Sequence, residues 1–133
     1  MTWYYNNNLF DTAPEHCQGF VYLIVNTLTN RKYIGKKNFW TTRKLKPLKG
    51  KTNRRHRRME SNWQQYCGSC EELLKDIDAY SPNTLHKEIL HLCENKNQMT
   101  YWEMKLQFDH NVLLDDTYYN GYIGGRLTAR GLK

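Results

Sequence analysis

The sequence predicts an α+β fold, a three-stranded antiparallel sheet flanked by helices, and three observations carry it. A β-branched and aromatic run at 19–25 is followed, after the turn-like Asn26-Thr-Leu-Thr-Asn30, by a second short run at 32–36. Apolar residues alternate at 86–93, and an apolar stripe at helical spacing covers 97–113. The first two runs read as a β-hairpin. With an even loop centred between Thr27 and Leu28, Tyr22 would lie directly across from Tyr33, and directly opposed residues project to one face. The third strand, at 86–93, sets Ile89 on one face and Leu90 and Leu92 on the other, completing the sheet. In the helix Met99, Trp102, Leu106 and Leu113 recur at intervals of three, four and seven.

Between these elements the signals are local. Thr41 and Thr42 are placed to cap a short helical turn carrying Arg43, which Pro47 would stop. Residues 48–58 read as an exposed basic loop. Residues 60–66 and 71–80 read as two short helices, the second with Leu73, Leu74 and Ile77 on one side and Ser81-Pro82-Asn83 at its end. Residues 1–18 show no clear period and stay unassigned, and the tail after Asp115 is turn-rich.

At 133 residues the chain is expected to form one domain over 1–133. No run is long and apolar enough to span a bilayer, and the N-terminus lacks a secretory pattern, so an intracellular location with no membrane partner is expected. Cys17, Cys67, Cys70 and Cys93 should then be reduced thiols. The net charge is +7, and thirteen of the twenty Lys and Arg lie between positions 31 and 58, where no Asp or Glu occurs. The remaining seven face thirteen acidic residues, a net of −6. The positive charge is therefore concentrated. Phe39, Trp40 and His56 are interleaved with it, as suits a phosphate-neutralising nucleic-acid surface. Lys37, Lys44, Lys46, Lys49, Lys51, Arg54, Arg55, Arg57 and Arg58 are the candidate contacts.

Gly19-Phe-Val-Tyr22, with Tyr33-Ile-Gly35 placed eleven residues from tyrosine to tyrosine, resembles the paired motif of the GIY-YIG nucleases. The first element is one residue longer than Gly-Ile-Tyr, while the tyrosine spacing is that of the family. Arg43 falls ten residues after Tyr33, at the family's next landmark, and Lys36 three after it. His56 lies where some members carry a histidine, and Glu103 and Asn120 match a helical glutamate and a later asparagine. The resemblance covers about residues 19–120. It implies a Mg²⁺- or Mn²⁺-dependent endonuclease acting on nucleic acid, with double-stranded DNA as the expected substrate. The small size resembles freestanding homing-type proteins of bacteriophages, which would put the chain in the cytoplasm of a bacterial host.

Phosphodiester cleavage asks for a deprotonated nucleophile, charge neutralisation at phosphorus and help for the leaving oxygen. Mg²⁺ keeps several waters and takes one or two protein carboxylates, so a lone glutamate is an acceptable metal ligand. Glu103 fills that role: it sits mid-helix away from the apolar stripe, with Gln107 and His110 following at four and seven. Arg43 would brace the scissile phosphate with its planar fork. Tyr33 is the candidate general base; a free phenol titrates near ~10, so Lys36, the metal and Arg43 would have to depress it. Tyr22 shares that role or is a packed strand tyrosine. His56 is an acid, a base or a phosphate contact, and Asn120 supports the site by hydrogen bonds. Two rivals are a binding module that keeps the fold without catalysis, and a zinc-stabilised interaction protein using Cys67-Gly-Ser-Cys70 with His86, His91 and Cys93.

Overall fold

The computed structural model describes residues 2–79 and 84–133. Its main sheet has five strands in the order β2-β1-β7-β3-β4, built from β1 (Trp3–Tyr5), β2 (Asn8–Phe10), β3 (Gly19–Asn26), β4 (Arg31–Asn38) and β7 (Leu85–Cys93). A separate two-stranded ribbon joins β5 (Trp40–Leu45) to β6 (Arg55–Glu60). The helices are α1 (Glu71–Ala79) and α2 (Lys96–Asp109). The chain is thus α+β, and the predicted antiparallel trio survives as β7-β3-β4. The sheet is nevertheless mixed and not three-stranded, because β1 pairs in parallel with β7, Trp3 opposite Lys87, and β2 extends it. Both extra strands come from the unassigned segment. Among the described residues no helix is long and apolar enough to cross a membrane.

Each face of the sheet has its own core. Trp3, Phe20, Tyr22, Ile24 and Ile89 pack on one side with Phe39, Trp63 and Leu73. Val21, Ile34 and Cys93 pack on the other with Met99 of α2 and with Val112. Burying both faces explains why β3 is apolar throughout. The four cysteines are free thiols, as expected, and burial pushes that of Cys93 up to about 12.

Several local expectations are corrected. The β3–β4 hairpin sets Tyr22 opposite Gly35 and Tyr33 opposite Ile24, two places from the predicted register. An even shift preserves the face, so the phenols still share one. A bulge in the β3–β7 ladder, where Val21 faces His91 but Tyr22 faces Ile89, resets the phase of β7. Leu92 consequently packs in the same core as Ile89 and not with Leu90. Arg43 sits on a strand and not on a helical turn, and the last four residues of the predicted basic loop, 55–58, belong to β6, with Arg43 opposite Arg57 and Lys44 opposite His56. That ribbon is exposed on both faces, so no apolar alternation announces it.

Residues 60–66 do not form a helix. β6 runs to Glu60, and a single turn, Tyr66 N–H to the Trp63 carbonyl at 3.3 Å, drives Trp63 into the core. Its indole donates to Glu60 Oε1 at 2.7 Å. The second helix is present as α1; its predicted last residue, Tyr80, and the Ser81-Pro82-Asn83 stop lie outside the described residues. The long helix ends at Asp109, and Asn111 adopts φ 52°, so Val112 enters the core while Leu113 is 49% exposed.

Candidate active site

The motif tyrosines meet Glu103 at the free edge of β4. Successive residues of a strand point to opposite faces, so Tyr33 faces the aromatic core while Lys36 faces α2. A cavity of about 270 Å³ wraps around this edge. Tyr22 and Tyr33 line it from one side of the sheet, Lys36, Glu103 and Gln107 from the other, and Asn120, Gly121, Tyr122 and Gly124 close it along the edge. The tyrosine rings are 6.2 Å apart.

Gly35 makes this wrapping possible. A Cβ there would lie 2.5 Å from Tyr22 Oη and 2.9 Å from Tyr33 Cε1. Tyr22 is 1% exposed and has nowhere to swing. Gly35→Ala should therefore displace both phenols, at a stability loss of roughly 1–3 kcal/mol from overpacking, and depress cleavage far more than it depresses the population of folded protein. A melting curve beside a plasmid-nicking rate checks this; wild-type values for both would show that the site tolerates the shift.

The edge itself is fastened by the tail. The Lys32 N–H donates to the Thr117 carbonyl and the Tyr119 N–H to the Lys32 carbonyl, both at 2.7 Å, so residues 117–119 run beside β4. The Asn120 side chain then stands in for the next stretch of strand. Its Oδ1 accepts from the Ile34 N–H at 3.1 Å and its Nδ2 donates to the Ile34 carbonyl at 2.8 Å. Gln107 Nε2 donates to the same carbonyl at 3.0 Å. Asn120 is thus a hydrogen-bonding support, holding the peptide between Tyr33 and Gly35 in place.

Glu103 is half-enclosed, its side chain 14% exposed, with Lys36 Nζ 3.9 Å away. Burial raises its pKa, and Lys36 only partly opposes this. Lys36 is itself held by donation to Thr100 Oγ1 at 3.0 Å. A carboxylate deprived of water beside a cavity lined by hydroxyl and amide groups is a hard-oxygen donor set, which fits a divalent cation that brings its own waters. Gln107 adds a buried Oε1 that has no hydrogen-bond partner among the described residues.

The protein groups do not depress Tyr33 as expected. Burial raises its pKa, although a hydrogen bond with Ser69 favours the ionised form. Tyr22 is raised well above the usual phenol, by burial first and then by Tyr66. Lys36 donates to Thr100 Oγ1, and Arg43 does not line the cavity. Arg43 and His56 both sit on the ribbon outside the cavity. Directly opposed residues share a face, which groups Arg43 with Arg57 and His56 with Lys44, one residue along; the two groups therefore point to opposite sides.

The candidate phosphate contacts divide in a similar way. Lys44, Lys46, Lys49, Lys51, Arg54, Arg55 and Arg57 lie on the ribbon or its connecting loop, and all seven are exposed. Arg58 stacks over Trp40 at 4.2 Å and donates to the Glu15 carbonyl, and Lys37 lies over the Tyr66 ring at 4.3 Å, where burial lowers its pKa. Those two anchor structure as well as carrying charge. Ser69 was not legible as a site residue; it reaches the cavity because Gly68 turns the chain at φ 97°. His110 does not line the cavity and instead meets Tyr118 Oη at 3.4 Å.

The zinc arrangement does not assemble. Among the described residues no three His, Cys, Asp or Glu side chains are grouped to hold a metal, and His86 and His91 stack on Tyr4 and Trp102.

Among known protein families, residues 3–123 fit the one described as "Putative endonuclease segE, GIY-YIG domain". No curated protein matches the chain, and no solved structure does. The match begins at Trp3, the first residue of β1, and ends at Ile123, beside the cavity. With nearly the whole chain matched, and with Tyr22, Tyr33, Lys36, Glu103 and Asn120 gathered at one sheet edge, the chain belongs to the GIY-YIG endonuclease family.

Proposed function

We propose that the protein is a Mg²⁺- or Mn²⁺-dependent endonuclease that hydrolyses phosphodiester bonds of double-stranded DNA, in the manner of a small homing-type enzyme. The observation that carries this is the convergence of five residues, separated by up to 98 positions, on one solvent-accessible cavity. The homing-type role rests on the resemblance to small bacteriophage proteins.

In this reading Glu103 would hold the ion, with water filling the rest of its shell. When bound, the ion supplies charge neutralisation at phosphorus and at the leaving oxygen. Tyr33, once ionised to the phenolate, takes the proton of the attacking water, and the hydrogen bond with Ser69 favours that ionised form. Lys36 adds fixed positive charge where the phosphate enters. Asn120 and Gln107 keep the β4 edge rigid, so the tyrosines and Lys36 hold their relative positions. Arg43, Arg57 and the neighbouring basic side chains of the ribbon bind backbone phosphates away from the cavity, and His56 does so from its other face.

Incubation of the purified protein with supercoiled plasmid tests the reading. Nicked or linear DNA should appear with Mg²⁺ or Mn²⁺ and stop on chelation. Binding without cutting under either ion, on DNA and RNA alike, would replace the nuclease by a non-catalytic nucleic-acid-binding module on the same fold.

A further inference from the structure

We propose that the cleft between the first turn of α2 and the segment 126–131 is a second phosphate-binding surface for the nucleic-acid substrate, adjoining the catalytic cavity. The proposal rests on the nuclease reading for its substrate and extends the contact surface beyond the basic ribbon.

The cleft is about 640 Å³ in volume, and Lys96, Arg126 and Arg130 line it with no carboxylate among the lining residues. All three are exposed, and among the described residues none forms an ion pair. This is a local concentration of positive charge in the part of the chain whose formal balance is acidic. Unneutralised cations gathered on one concave surface attract a polyanion and release its counterions on contact.

The wall carrying the arginines is fastened in place. Asn97 Nδ2 donates to the Thr128 carbonyl at 2.6 Å, and Asn95 Nδ2 and Gln98 Nε2 donate to the Gly131 carbonyl at 3.1 and 3.2 Å. These bonds use the segment's backbone and leave the arginine side chains to solvent. The cleft adjoins the catalytic cavity. Gly124 lines that cavity, and a Cβ on the adjoining Gly125 would sit 2.9 Å from the Thr100 methyl. Thr100 lines the basic cleft and accepts from Lys36. A backbone whose scissile phosphate occupies the cavity can therefore continue past Thr100 into the cleft, while the ribbon engages it elsewhere.

The test is binding of a short fluorescent DNA duplex, measured across a salt series in EDTA so that no cutting interferes. Lys96→Gln/Arg126→Gln/Arg130→Gln should weaken binding and flatten the dependence of log Kd on log salt by roughly 0.9 for each phosphate no longer neutralised. The charge-conserving Arg126→Lys/Arg130→Lys should keep most of the slope. Arg54→Gln/Arg55→Gln/Arg57→Gln on the ribbon serves as the comparator. A flattened slope for the ribbon variant with a wild-type slope for the cleft variant, both melting as the wild type does, overturns the proposal. If the triple variant is poorly folded, Arg126→Gln alone is read in the same way. The outcome is separable from that of the nuclease reading: a flattened slope with a wild type that cuts no nucleic acid keeps the cleft as a binding surface and removes only the catalysis.

Discussion

Replacing Glu103 with Gln is expected to abolish cleavage while nucleic-acid binding persists. The substitution keeps side-chain volume and helix propensity and removes the charge that would hold a divalent ion. Among the described residues no second carboxylate lines the cavity, so no neighbour there can take over. On the proposed reading affinity resides chiefly in the ribbon and its loop, and the loss of one negative charge beside the entering phosphate should leave it equal or slightly higher. The burial that raises the Glu103 pKa adds a stability signature. A carboxyl whose folded pKa lies above its unfolded value destabilises the fold as pH rises through that range. Without metal, the Gln variant should therefore melt at or above the wild-type temperature at neutral pH, with Lys36 losing a partner at 3.9 Å as the opposing effect. Gel-shift affinity, nicking across a Mg²⁺ titration and a melting curve give three independent readings. Wild-type cutting by the variant would make Glu103 an ordinary helical residue and move the metal elsewhere.

Tyr33→Phe should lower cleavage by roughly 10²-fold or more, the scale of general-base loss, with the fold intact. The ring and its packing remain; what disappears is the hydroxyl and its hydrogen bond with Ser69. Tyr22→Phe should cost less activity. Its phenol is buried, raised well above the ordinary range and hydrogen-bonded to Tyr66, which suits an orienting hydroxyl better than a base. Steady-state rates of both variants on one plasmid substrate decide the matter. An inactive Tyr22→Phe beside an active Tyr33→Phe would reverse the assignment.

Much of the site was legible because its motifs lie on regular elements. Tyr22 and Tyr33 stand on strands whose period is two, so an error of two places in register left them on the same face. Glu103 was found from its match to the family's helical glutamate, at a mid-helix position away from the apolar stripe. Ser69 was invisible, since it belongs to an irregular turn that only packing against the tyrosines brings into the cavity. The N-terminal hairpin carried a signal that went unread: Asn6 and Asn7 both adopt positive φ, 51° and 66°, as a two-residue hairpin turn between Tyr5 and Asn8 requires. The β5–β6 ribbon had none, because exposure on both faces removes the alternation that marks a strand.

The sequence by itself determined the α+β class, the β3–β4 hairpin, the third strand, the long helix that carries Glu103 and the residues that resemble a GIY-YIG site, since each follows from local period, turn chemistry or motif spacing. Tertiary structure alone decided that β1 would join β7 in parallel, that a bulge would turn Leu92 toward Ile89, and that Arg43 and His56 would stand on opposite faces of an exposed ribbon. It also decided that the Asn120 amide would complete the ladder of β4. These features depend on pairing between segments far apart in the chain, where backbone groups must find partners and no residue pattern names which ones.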